Sequence, residues 1–66
     1  MNAGARVWLR QENGSSVLDR AGQAVAFTVL KVESHPTGVL CELAADDLFV
    51  HILYAGWHPA GRLTRI

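Results

Sequence analysis

The chemistry this chain can do rests on few side chains: His35, His51 and His58, the single cysteine Cys41, and the adjacent pair Asp46 and Asp47. The histidines are separated by 16 and 7 residues, with no i, i+4 pair and no Cys-x-x-Cys. A structural zinc site draws about four Cys or His ligands at short paired spacings, so we expect no metal, and no cofactor motif is present. No Ser-His-Asp or Cys-His set is legible either, and a catalytic histidine needs an oriented partner. His51 is the one residue we single out for proton transfer or ligand contact, because imidazole changes charge near neutral pH. The plainer expectation is a hydrogen-bonded, inert histidine at a subunit contact or on the surface. Cys41 alternates with Leu40 and Glu42 and should face the core as a small apolar residue. Asp46-Asp47 reads as a turn or a helix cap rather than a pair of catalytic carboxylates.

Two aromatic groupings suggest binding. Trp8 alternates with Arg6 and Arg10, and Arg62 and Arg65 join them if the last strand lies beside the first. Arginines around an aromatic ring stack on the bases of a single-stranded nucleic acid. Tyr54, Trp57 and His58 cluster beside Gly56 and Pro59, as the walls of a groove or, for Trp57, as a plug at one end of the fold. The candidate ligand-binding residues are therefore Trp8, His51, Tyr54, Trp57 and His58. Arg6, Arg10, Arg62 and Arg65 form the nucleic-acid alternative.

Charge and length weigh on these readings. Six basic and six acidic side chains leave a net charge of zero, which argues against a strong electrostatic grip on nucleic acid or an anionic membrane. Half of the 66 residues are apolar, enough to fold as one domain over residues 1–66. No apolar run reaches the roughly 18 residues a membrane helix needs, and residues 1–6 do not read as a secretory signal. With one cysteine, these features lead us to expect a cytoplasmic protein. Below about 70 residues a single core rarely supplies more than ~3–5 kcal/mol without a disulfide, a metal or a partner subunit. The first two are not expected here, so self-association is.

The elements that position these residues follow from alternation. Ala5 to Gln11 reads as a strand with Val7 and Leu9 on one face, ending at the Asn13-Gly14 turn. Asp19-Arg20-Ala21-Gly22 reads as a second turn. Ala24 to Glu33 is the longest strand, with Val25, Phe27 and Val29 on one face and further apolar residues on the other. That pattern suits a bent strand or one whose outer face meets a partner. His35-Pro36-Thr37-Gly38 turns into a strand over 39–43. Leu48 to Tyr54 suits a strand by its β-branched and aromatic content, or a helix capped by Asp46 or Asp47 and closed by Gly56. We expect the strand. Residues 55–61 read as a loop with one 3₁₀ turn, and 62–66 as a short closing strand with Leu63 inward.

These elements describe an all-β fold, a five-stranded β-meander closed on itself, with a short 3₁₀ turn before the last strand. Ala5 to Gln11, the hairpin from Ala24 to Leu43 and the ending Trp57-His58-Pro59 to Ile66 resemble the SH3-like small β-barrel. The turn order and the closing Leu63-Thr64-Arg65-Ile66 are also similar to the plasmid-borne type II dihydrofolate reductases, tetramers of such barrels. That family lines its shared pore with a Val-Gln-Ile-Tyr strand. Val50-His51-Ile52-Leu53 stands at the corresponding place, with His51 for the glutamine and Leu53 for the tyrosine. The barrel fold itself hosts many functions. The leading expectation is a self-associating, non-enzymatic binding module for a protein or small-molecule ligand. The alternatives are a single-stranded nucleic-acid-binding barrel and a pore-type oligomeric enzyme using His51.

Overall fold

The computed structural model describes residues 1–66 and contains five strands and one short helix: β1 Arg6–Leu9, β2 Ala26–His35, β3 Gly38–Ala45, α1 Leu48–Tyr54, β4 Gly56–Pro59 and β5 Leu63–Arg65, with a 3₁₀ turn at Ala60–Arg62. The strands form one antiparallel sheet in the order β4-β3-β2-β1-β5. β4 and β5 are its two edges, so the sheet is open, where the sequence suggested a closed barrel. No helix is long and apolar enough to cross a membrane.

The long excursion between β1 and β2 is shaped by its turn residues. Asn13 Oδ1 accepts from the Ser15 amide at 3.0 Å, and Gly14 takes φ +86°, a value that disfavours a side chain. Asp19 Oδ1 accepts from the amides of Ala21 and Gln23, both at 2.9 Å. Between and after these turns, Val17 and Val25 are buried and fasten the excursion to the core.

Alternation along β1 buries Val7 and Leu9, and β2 buries Phe27 and Val29 against them, with Val7 opposite Phe27. A bulge at Leu30 then shifts the register by one residue. Lys31 falls opposite Glu42, and Val32 opposite Cys41. An extra residue in one strand increases the local bend, and it moves Val32 to the side of the sheet carrying Cys41. Beyond the bulge β2 is exposed through to His35, so the β2–β3 hairpin projects as an arm and the molecule measures 38 × 23 × 20 Å.

The core is Val7, Leu9, Val17, Val25, Phe27, Val29, Cys41, Leu43, Val50 and Leu63. Cys41 is fully buried and Leu63 faces inward, both as the alternation predicted. Residues 48–54 are the largest departure: they form a helix instead of a strand. Asp47 caps it, its Oδ1 accepting from the Val50 amide at 2.9 Å, and such a cap contributes about 1 kcal/mol. Gly56, at φ +123°, turns the chain into β4 directly after the helix. Of the seven helical residues only Val50 is buried.

Candidate functional site

The helix decides what two of the predicted site residues do. His51 does not stand on a pore-lining strand. Its Nδ1 accepts a hydrogen bond from the Ala45 amide at 3.1 Å, which ties α1 back to the end of β3. Trp57 does not plug the fold either. β4 starts at Gly56, and from there alternation turns Trp57 outward, 41% exposed, and places His58 on the inner side opposite Cys41. His58 Nε2–H donates to the Tyr54 carbonyl oxygen at 2.6 Å. A carbonyl only accepts, so the contact itself fixes the proton on Nε2.

The arginines are divided. β1 pairs with β5, as the basic-patch reading required. Arg65 falls opposite Val7, however, on the side of the sheet away from Trp8, because facing residues of paired strands share a side. Arg6 is committed to a bidentate ion pair with Asp46, with its Nη1 2.8 Å from Asp46 Oδ1 and 2.8 Å from Thr28 Oγ1. Arg6, Trp8 and Arg65 therefore share no single strip. The hydrogen bond from Arg6 holds the Asp46 carboxyl below its ordinary 3.8, with desolvation opposing it and charge attraction assisting. The same contact raises the Arg6 guanidinium. The sign follows: a depressed carboxylate stabilises the fold above its unfolded value and loses that effect as pH falls through the folded one. Asp46→Asn should lower Tm slightly at neutral pH, and the gap to the native chain should close below pH 3.8. Thermal melts across an acid pH series check this, and a gap independent of pH would refute it.

Four of the predicted residues do converge. Arg10, Tyr54, His58 and Arg62 line one cleft of about 210 Å³ at the end of the sheet, together with Leu9, Gln11, Glu12 and Val17. The 3₁₀ turn holds it in shape. The Arg10 amide donates to the Arg62 carbonyl oxygen at 2.8 Å, and Arg10 Nη2 donates to the Gly61 carbonyl oxygen at 2.7 Å.

A second feature is apolar. The outer face of α1 leaves Leu48 at 74%, Ile52 at 73%, Leu53 at 60% and Phe49 at 46% exposure. Arg20 lies over the Phe49 ring, 4.3 Å from its centroid, and with Asp47 it borders a shallow concavity against Leu48, Phe49 and Ile52. On a strand Leu48 and Ile52 would face one side and Phe49 and Leu53 the other, whereas the helix gathers all four on its exposed face. No group of three or more His, Cys, Asp or Glu is placed to hold a metal ion. No protein-family model matches the chain, and neither the curated proteins nor the solved structures compared with it show a match.

Proposed function

We propose that this chain is a small self-associating binding module on an SH3-like scaffold, and that two copies meet through the outer face of α1. The antiparallel order with β1 beside β5 and the 3₁₀ turn before β5 support the scaffold reading, in an open form. The observation that carries the assembly is the apolar face of Leu48, Phe49, Ile52 and Leu53. Four large neighbouring apolar residues on a seven-residue helix form the kind of contiguous exposed patch that marks interaction sites.

A second copy suits this face by charge as well as by apolarity. Arg20 and Asp47 stand on the border of the same patch. In a two-fold interface each residue meets the partner's patch in reverse order, so a cation and an anion on one border suit pairing with the opposite charges of the other copy. A standard interface covers about 800 Å² per partner. That is roughly a fifth of the 4281 Å² this chain exposes, and burying it would supply stability that a ten-residue core lacks.

Sedimentation velocity over a hundredfold range of concentration tests this. The native chain should shift from monomer to dimer. Ile52→Arg should remain monomeric at every concentration with its circular dichroism unchanged, since Ile52 makes no core contact. A native chain that stays monomeric throughout, or an Ile52→Arg dimer as tight as the native one, overturns the proposal.

A further inference from the structure

We propose that the cleft between β1, the end of α1 and the 3₁₀ turn binds a small organic monocarboxylate. The site is separate from the outer face of α1 and its occupancy does not depend on self-association.

Shape comes first. Leu9 and Val17 are buried core residues that also line the cleft, so it has an apolar floor. Tyr54, packed against the core, adds an aromatic surface. The volume of about 210 Å³ is below the roughly 300–1,000 Å³ of pockets that hold drug-sized ligands. At about 30 Å³ per water it has room for roughly seven. A short apolar body with one polar head fits that space, and a nucleotide does not.

Charge selects the head. Arg10, Arg62 and Glu12 line the cleft, and none of them belongs to either ion pair of the protein, Arg6–Asp46 or Glu33–His35. Two cations and one anion leave a single positive charge. A monoanion neutralises it, whereas a phosphate dianion would carry an unbalanced charge beside Glu12. Arg10 spends one N–H on the Gly61 carbonyl oxygen, which fixes its guanidinium and leaves other donors free. A guanidinium held in this way matches the two oxygens of a carboxylate. His58 positions the wall: its bond to the Tyr54 carbonyl oxygen ties β4 to the last turn of α1, so the cleft is formed before any ligand arrives.

The test is titration of the full chain with benzoate, followed by amide resonances at pH 7 and constant ionic strength. Benzamide is the neutral control of equal shape, and inorganic phosphate the control for anion binding alone. Benzoate should give saturable shifts at Arg10, Gln11, Tyr54 and Arg62, and both controls should bind at least about tenfold more weakly. Arg62→Gln should weaken benzoate by about tenfold or more, the loss expected for one charge-assisted hydrogen bond. Glu12→Gln should tighten benzoate and strengthen phosphate more, because it removes the opposing charge. Both variants change exposed side chains outside the core. Shifts that do not saturate, benzamide binding equal to benzoate, or phosphate binding equal to benzoate would each overturn the proposal.

Discussion

Phe27→Ala should leave most of the protein unfolded at micromolar concentration and 25 °C. Phe27 is completely buried at the centre of the sheet, opposite Val7 on one side and Ala45 on the other. Truncating a buried phenylalanine costs about 3–5 kcal/mol, from lost transfer energy and from the cavity left behind. A chain of this length holds about the same total, so the substitution removes nearly all of it. Phe49→Ala is the control: the residue type is the same, but Phe49 is 46% exposed, and its loss should cost the monomer about 1 kcal/mol or less. Urea denaturation of both variants, followed by circular dichroism, checks the contrast. Equal losses would mean that Phe27 is not the centre of the core. Raising the concentration of Phe27→Ala should recover folded protein if the proposed dimer forms, because a partner that binds only the native chain stabilises it by mass action.

The strands were legible because their alternation is set by local chemistry. Val7 and Leu9, Phe27 and Val29, Cys41 and Leu63 all face the core as period-two spacing requires. The turns at Asn13-Gly14 and Asp19 to Gly22 announce themselves through residues that bond their own backbone or accept positive φ. The bulge at Leu30 left a trace, in that apolar residues on both faces of β2 argued for a bent strand. Its position was not readable, and so neither was the side of the sheet on which Val32 falls.

Residues 48–54 resisted for a physical reason. Seven residues that are apolar nearly all round, with Val50 alone fully buried, show no polar face to mark a helical period, while their β-branched and aromatic content favours a strand. Helix formation was settled by the Asp47 cap, the Gly56 turn and the His51 bond to Ala45, two of which were visible only as options. The error spread to β4: residues 55–61 read as a loop, so the alternation that turns Trp57 outward and His58 inward had no strand to run along. The cleft was half visible. Tyr54 with His58, and Arg10 with Arg62, had each been grouped, but their union depends on β5 returning to β1 and on the 3₁₀ turn closing over Arg10. These are long-range pairings without a local signal.

Aspartate substitutions at positions 50 and 52 should separate the helix from the strand most sharply. In a strand the two residues would share a face, and a carboxylate at either would do similar damage. In α1 they do not share one: Val50 is 2% exposed and Ile52 is 73% exposed. Val50→Asp forces a charge into the core beneath the helix, where no cation stands among the buried residues. An uncompensated buried charge costs on the order of 3–5 kcal/mol, enough to detach α1 or unfold the chain. Ile52→Asp places its carboxylate in solvent and should leave the folded monomer's stability within about 0.5 kcal/mol of the native value. Urea midpoints at concentrations where the native chain is monomeric read the difference. If both variants lose stability equally, Ile52 is buried and α1 has no free apolar face. If only Val50→Asp loses it, Val50 is the buried anchor of the helix, and Leu48, Phe49, Ile52 and Leu53 are free to meet a second copy.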